Sequence, residues 1–135
     1  MRPVFADTFY YLSLLNSGDS SHGLAVSVTR RLRRKMVTTA WVLTEVADAM
    51  SAPGNREVFS RLFKELRNNR QVTIIEPHKD LFDEGIHLYG SRPDKDWSLT
   101  DCISFLVMQQ EGLTEALTGD HHFEQAGFKA LLTSS

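Results

Sequence analysis

The chain has 135 residues, of which 41% are apolar and 24% charged, and its formal net charge at pH 7 is −2. This is ordinary globular composition, so we expect one domain spanning residues 1–135 rather than a disordered chain. The small negative charge provides no overall attraction to nucleic acid, and any such binding must use a local basic patch. The single cysteine, Cys102, excludes an internal disulfide and a cysteine-based zinc site.

No uninterrupted apolar run exceeds four residues. The sequence therefore predicts neither a membrane span nor a signal-peptide core, and we expect a cytoplasmic protein without a membrane partner.

Short apolar runs alternate with longer amphipathic segments, which is typical of an α/β domain with a mostly parallel sheet. The predicted strands, in chain order, are 4–8, 36–40, 72–76, 116–118 and 128–133. The predicted helices are 9–16, 22–34, 41–50, 55–69, 80–89 and 99–110. Asn55 is the predicted N-cap of the helix that it begins.

Four acidic residues lie in otherwise apolar segments: Asp7, Glu45, Asp101 and Asp120. Asp7 and Asp120 follow predicted strands, whereas Glu45 and Asp101 lie on predicted helices. A buried carboxylate loses its hydration, which costs several kcal/mol unless a cation compensates the charge. The acids therefore indicate a site of some kind.

The cation is not supplied by neighbouring residues in the sequence. Residues 3–29, 36–55 and 96–128 contain all four acids and no Lys or Arg. Clustered carboxylates need shared protons or a divalent cation. The economical interpretation is that these acids bind a metal ion.

The predicted topology allows the four acids to meet. In a parallel α/β sheet, the carboxyl ends of the strands and the starts of the following helices share one edge, where ligands bind. Oxygen ligands without cysteine favour Mg²⁺, with Mn²⁺ as a possible substitute, over zinc. Because such ions commonly act on phosphates, the implied reaction is hydrolysis of a phosphodiester bond.

Four segments resemble the motifs of PIN domains, and they occur in the order of that family: 4–8 (VFADT), 38–45 (TTAWVLTE), 97–105 (WSLTDCISF) and 117–123 (LTGDHHF). The chain is similar to the compact, stand-alone PIN domains of VapC toxins from bacterial and archaeal toxin–antitoxin systems. The resemblance covers essentially the whole chain. It implies a three-layer PIN-like fold with a mostly parallel sheet of about five strands flanked by helices.

The same resemblance implies an activity and partners. It implies a Mg²⁺-dependent endoribonuclease that hydrolyses RNA, acts as a toxin, is inhibited by a cognate antitoxin and is often a homodimer. The acidic quartet of the family maps onto Asp7, Glu45, Asp101 and Asp120 as catalytic and metal-binding residues. The first, third and fourth acids should hold the metal, and Glu45 should ligate it or orient the attacking water. Thr118 matches a catalytic hydroxyl position near the metal-bound water, and Cys102 stands where Ala is common.

Simpler interpretations of single residues remain open. Asp7 and Asp120 could cap the helices that follow them. Glu45 alone could be an ordinary exposed helical residue. We expect His121 and His122 at the edge of the pocket or in solvent, because adjacent residues point to different faces of a helix.

Alternative functions also remain open. A metal-dependent phosphatase or deoxyribonuclease could use the same acids, and a catalytically silent module could retain the fold. The extra acids Asp94 and Asp96 could belong to the outer part of the site or be solvated loop residues.

Two groups of basic residues could bind a polyanion. Residues 30–35 contain five positive charges, and Arg61, Lys64 and Arg67 recur every three residues on one helix. RNA phosphates and an acidic antitoxin segment would suit these groups equally well. The sequence does not separate the two partners.

Overall fold

The structure, a computed structural model, describes residues 1–133, and the last two residues of the predicted domain lie outside the described part. The strands are β1 Val4–Ala6, β2 Met36–Thr39, β3 Val72–Ile75, β4 Glu115–Leu117 and β5 Lys129–Ala130. They form one five-stranded sheet in the order β3-β2-β1-β4-β5, in which every strand pair is parallel. The predicted α/β fold with a mostly parallel sheet is confirmed.

The helices connect the strands and flank the sheet. They are α1 Thr8–Leu15, α2 His22–Arg31, α3 Ala40–Ala49, α4 Asn55–Asn68, α5 Lys79–Ser91, α6 Leu99–Gln110 and α7 His121–Gln125. None of the helices in residues 1–133 is both long and apolar enough to cross a membrane.

Several predicted boundaries differ from the observed ones. The second helix was predicted to reach residue 34 but ends at Arg31, because Leu32 already has an extended backbone conformation. Asn55 does not cap α4; Gly54 occupies the N-cap with a φ of 89°, a conformation that favours glycine. The strand predicted over 128–133 pairs with β4 only at Lys129 and Ala130.

Strand β1 lies at the centre of the sheet and of the hydrophobic core. Val4, Phe5 and Ala6 are completely buried, because β2 and β4 pair with both edges of the strand and side chains cover both faces. Asp7, the residue that follows β1, therefore lies next to the most buried part of the molecule. The position of Asp7 follows from this placement.

Helices α5 and α6 pack closely through a glycine. A Cβ atom at Gly85 would lie 2.5 Å from Cγ1 of Ile103, whereas a Cβ atom at Gly90, on the same helix, would have no neighbour within 4 Å. This difference makes the two glycines a matched pair.

We expect Gly85→Ala to lower the free energy of unfolding by about 1–3 kcal/mol, because the added methyl group overpacks the α5–α6 interface. Gly90→Ala should be neutral or stabilising by up to about 1 kcal/mol, because alanine favours a helix. Urea denaturation of the two variants checks this prediction. Equal destabilisation by both would contradict the close packing at Gly85.

Candidate functional site

Three of the four predicted acids and Thr118 meet where β1 and β4 end. Asp7 directly follows β1, Asp120 follows β4 by three residues, and Asp101 lies in the first turn of α6. Asp7 and Asp101 are buried, and Asp120 is half-buried. Thr118 hydrogen-bonds both Asp7 and the backbone of Asp120, and His122 Nδ1 lies 3.1 Å from Asp101 Oδ2 and 3.3 Å from Asp120 Oδ1, so the three carboxylates share one site.

Asp7 is the most buried of these carboxylates, with 4% of its surface exposed. The Thr118 hydroxyl donates a hydrogen bond of 2.9 Å to Asp7 Oδ2, and the same hydroxyl accepts one of 3.0 Å from the backbone N–H of Asp120. Burial raises the pKa of Asp7 from 3.8 to about 7; the Thr118 hydrogen bond opposes the shift, and the charges of Asp101 and Asp120 add to it. Thr118 therefore connects two of the acids.

Asp101 is fixed in place by the start of its own helix. Ser98 and Asp101 form a capping box: the Asp101 N–H donates to Ser98 Oγ at 3.0 Å, and the Ser98 N–H donates to Asp101 Oδ2 at 3.1 Å. Burial raises the pKa of Asp101, the Ser98 hydrogen bond lowers it, and the charge of Asp120 raises it further. A local helix cap thus orients a carboxylate of the site.

Asp120 does cap the short helix α7, as the simpler interpretation allowed. Its Oδ1 accepts a hydrogen bond of 2.9 Å from the backbone N–H of His122. Asp7 stands at the N-cap position of α1 but makes no side-chain cap hydrogen bond. Helix capping therefore explains one contact of the Asp120 side chain. It does not explain the position of the Asp7 side chain.

Gly119, between Thr118 and Asp120, allows a close approach of Phe9. A Cβ atom at this position would lie 2.5 Å from the Phe9 ring. The turn that presents Asp120 therefore depends on a residue without a side chain.

Glu45 reaches the site through a neighbour. It is half-buried on α3, and its Oε1 accepts a hydrogen bond of 2.6 Å from the hydroxyl of Thr8, the residue after Asp7. Its position is consistent with either role predicted for it, direct ligation or orientation of water.

The site has few compensating cations. Among residues 1–133, the basic side chains within 4.0 Å of the four carboxylates are the imidazoles of His121 and His122, which carry a charge only when protonated. No Lys or Arg of the described chain is delivered by the tertiary fold, so a divalent cation fits the charge of this donor set.

Sequence reasoning assigned no role to Thr8 or Ser98, and it placed His122 only at the edge of the pocket or in solvent. The spacing S-x-x-D at 98–101 is a recognisable capping-box signal for Ser98. His121 is exposed, as expected, but His122 Nδ1 lies 3.1 Å from Asp101 Oδ2 and 3.3 Å from Asp120 Oδ1. No sequence signal distinguishes these two histidines, since their spacing alone places them on different faces.

Asp94 and Asp96 are exposed loop residues, and Trp97 and Phe105 are core residues. Asp94 is exposed and pairs with Arg92 at 3.0 Å, and this hydrogen bond lowers the pKa of Asp94 to about 2. Asp96 is exposed in the same loop. Trp97 and Phe105 belong to the buried core, where their rings lie 5.0 Å apart edge to face.

Two solved structures have folds similar to that of this chain. The fold of this chain matches the crystal structure of VapC20 from Mycobacterium tuberculosis, which is described as a Sarcin-Ricin loop cleaving toxin. The TM-score is 0.84, and the two sequences are 24% identical over 93% of this chain and 95% of that one. FitAcB from Neisseria gonorrhoeae matches with a TM-score of 0.66 at 16% identity over 94% of each chain. The chain therefore has the fold of PIN-domain toxins.

The sequence comparison points to the same relative. The chain is 26% identical over 126 residues to the 23S rRNA-specific endonuclease VapC20 of M. tuberculosis, covering 93% of this chain and 95% of that protein. No protein-family model matches the sequence. The resemblance to a VapC-type PIN-domain toxin, predicted from the four motifs, is confirmed by the match in sequence and in fold.

The burial of Asp7 generates a prediction on stability. Between about pH 4 and 7, the folded metal-free protein keeps a proton on Asp7 that the unfolded chain has released, so this group makes stability fall as the pH rises. We expect Asp7→Asn to raise the melting temperature at pH 7.5 without metal by about 3 °C or more, since it removes the buried charge. Mg²⁺ should stabilise the wild type and not the variant.

Differential scanning fluorimetry with EDTA or Mg²⁺ measures both effects. Asp48→Asn, which alters an exposed acid on α3, is the matched control and should leave the response to Mg²⁺ unchanged. A Mg²⁺ response retained in Asp7→Asn would contradict a role of Asp7 in metal binding.

Proposed function

We propose that this protein is a Mg²⁺-dependent endoribonuclease and the toxin component of a toxin–antitoxin pair. The observation that supports this most directly is the convergence of Asp7, Asp101 and Asp120 in a site that no Lys or Arg of residues 1–133 neutralises. The similarity to VapC20, a 23S rRNA-specific endonuclease, supports RNA as the class of substrate.

The donor set fits a hard divalent cation. Asp7, Asp101 and Asp120 would hold the ion, and Glu45 would ligate it or orient water. When bound, Mg²⁺ or Mn²⁺ would supply a water of lowered pKa and stabilise negative charge on the scissile phosphate. Its positive charge would also lower the pKa of Asp7 and favour the ionised carboxylate.

The other residues of the site position these groups. Thr118 holds Asp7 Oδ2 and the Asp120 backbone in fixed relation. Ser98 fixes Asp101, so that this carboxylate needs no reorganisation when a ligand binds. The hydrogen bond from Thr8 directs one oxygen of Glu45 and leaves the other available for water.

The basic residues divide into structural and exposed groups. Arg34 forms an ion pair of 2.8 Å with Glu115 and is nearly buried, so it contributes to the fold and not to a polyanion site. The other four cations of residues 30–35, Arg30, Arg31, Arg33 and Lys35, are exposed, as are Arg61, Lys64 and Arg67 on α4. Arg67 also lines an apolar groove of about 520 Å³ between α3, α4 and β3. We assign this face to an acidic partner, either RNA or the antitoxin.

We also propose a homodimer. Phe82, Ile86 and Tyr89 form an exposed apolar stripe on α5, with 41%, 45% and 54% of their surface exposed. Other apolar residues do not offer such a surface: Tyr10 is buried, and Phe9, Leu14 and Phe59 are partly buried against the core. A second copy packing on α5 would cover the stripe.

Cleavage of an RNA pool tests the activity. Purified wild type should cleave RNA with Mg²⁺ or Mn²⁺ and not with EDTA, and Asp7→Asn should lose at least about 100-fold in rate because it removes ligand charge but keeps shape. Single-stranded DNA and a simple phosphate monoester belong to the same panel.

Two controls make the result decisive. Asp48→Asn should cleave at the wild-type rate, since the residue is exposed on α3 and outside the site. Full activity of Asp7→Asn with Mg²⁺ would refute the mechanism, and cleavage of DNA or the monoester in preference to RNA would refute the substrate class.

Sedimentation velocity tests the dimer. We expect wild type to sediment as a dimer and Ile86→Glu as a monomer, because a buried unpaired charge opposes association. Val58→Glu, at an exposed apolar residue on α4, is the control and should leave the dimer intact. A monomeric wild type at micromolar concentration would refute the proposal.

A further inference from the structure

Positive charge is concentrated at the edge of the sheet where β1, β2 and β3 begin, which we call the amino edge. The segments that lead into these strands carry Arg2, the three cations of residues 33–35 and Arg70. Residues 20–44 and 66–75 contain no Asp or Glu. The amino edge is therefore basic, whereas the acids of the site lie at the opposite edge, where β1 and β4 end.

The pairing of the strands brings these segments side by side. The backbone N–H of Val4 donates to the carbonyl of Lys35 at 2.9 Å, and the N–H of Met36 donates to the carbonyl of Gln71 at 2.7 Å. Because neighbouring strands lie about 4.8 Å apart, the three segments form one continuous surface.

Arg34 holds the amino edge together and is not itself available to a ligand. Its Nε donates to the carbonyl of Arg2 at 2.8 Å, and its Nη1 lies 2.8 Å from Glu115 Oε1 at the start of β4. Only 9% of its side chain is exposed, and Glu115 neutralises its charge. The exposed residues Arg2, Arg33 and Lys35 are thereby presented on a fixed backbone.

Helix ends explain some of the nearby basic residues but not all of them. Arg30 and Arg31 lie in the last turn of α2, and Arg67 lies in the last turn of α4, where positive charge offsets the helix dipole. Four exposed cations of the amino edge lie outside the helices, and we call them the edge cations: Arg2, Arg33, Lys35 and Arg70. Among residues 1–133, no carboxylate forms an ion pair with any of the four. Their mutual repulsion would be relieved by an anionic partner.

The surface around the edge cations is polar. Two grooves share Asn69: one, of about 390 Å³, is also lined by Arg33 and Gln71, and the other, of about 750 Å³, is also lined by Arg70. Arginine, lysine, asparagine and glutamine are residues that contact phosphate oxygens in nucleic-acid complexes. A protein interface instead has an apolar core, and apart from Met1 these segments of the described chain expose no large apolar side chain. The lining thus favours RNA over an acidic protein segment.

We propose that the amino edge binds the sugar–phosphate backbone of the RNA substrate through the four edge cations and the amides of Asn69 and Gln71. This inference rests on the proposed ribonuclease function and adds to it a surface that holds the RNA outside the acidic site. A four-residue strand such as β2 spans about 13 Å, so one RNA must cross the sheet to occupy both edges. The amino edge therefore contributes affinity for a long or folded RNA and takes no part in bond cleavage.

RNA binding without metal tests the surface directly. A labelled RNA hairpin is titrated in EDTA, where the uncompensated acids of the site repel phosphate, and fluorescence anisotropy gives the Kd at several salt concentrations. Arg33→Gln with Arg70→Gln should raise the Kd at least about fivefold and make the slope of log K against log salt shallower by about 1–2, because each lost phosphate contact releases fewer counterions.

Two further variants control for the fold and for total charge, and circular dichroism checks that each is folded. Arg33→Lys with Arg70→Lys keeps both charges and should keep the salt slope of the wild type. Arg56→Gln with Lys79→Gln removes two exposed cations outside the amino edge and should leave the Kd within about twofold of the wild type, since salt screens distant charges. An unchanged slope in the double glutamine variant would overturn the proposal.

Polyglutamate tests the other occupant that the charge allows. The hairpin should bind more tightly than polyglutamate of equal charge, because the amides of Asn69 and Gln71 add hydrogen bonds to phosphate oxygens. Tighter binding of polyglutamate, lost in the double glutamine variant, would assign the amino edge to an acidic protein and overturn the assignment to RNA.

Cleavage kinetics separate this inference from the proposed function. In Arg33→Gln with Arg70→Gln, the KM for the hairpin RNA with Mg²⁺ should rise at least about fivefold while kcat is unchanged, since the amino edge binds substrate without contacting the scissile bond. A wild type that cleaves RNA with the same KM as this variant overturns the role of the amino edge and leaves the nuclease proposal intact. A wild type that binds the hairpin through the amino edge but cleaves no RNA overturns the nuclease proposal and retains the RNA-binding surface.

Discussion

The burial of Asp7 at the end of the central strand is the constraint on which the site depends. Strand β1 has neighbours on both edges and is completely buried, so the carboxylate that follows it has lost its water. A charge in this position is costly unless it is compensated, and the described chain offers it hydrogen bonds but no Lys or Arg. Burial accordingly raises the pKa of Asp7 to about 7, which disfavours the charged form.

Hydrogen bonds that stabilise the starts of helices also position carboxylates of the site. The capping box at Ser98 starts α6 and also orients Asp101, and the cap of α7 also orients Asp120. The Thr118 hydroxyl hydrogen-bonds Asp7, 111 residues earlier in the sequence, and also the backbone N–H of Asp120. Because these groups are held by helix starts and strand ends, the carboxylates are preorganised, and their mutual repulsion is the cost of keeping them close.

The surfaces away from the acids have separate chemical characters. Exposed cations lie on α4 beside an apolar groove, whereas α5 presents an apolar stripe. Charge on α4 suits a polyanion or an acidic protein segment, and the apolar stripe suits a second protein surface. An acidic partner on α4 and a second copy on α5 would therefore use different residues.

The sequence by itself determined the fold class, the order of the five strands and of six of the seven helices in residues 1–133, and the four unusual acids, because these depend on local periodicity and on carboxylates in apolar segments. The short helix α7 was not among the predicted helices. Helix α6 was predicted at its observed bounds, since its apolar period is strong over Leu99–Gln110. The strand predicted over 128–133 was too long, because strand length is set by pairing with β4. Only the tertiary structure decided that Arg34 pairs with Glu115 and that His122, and not His121, faces Asp101, 21 residues away. Such contacts depend on how separate elements pack, which adjacent residues in a sequence do not encode.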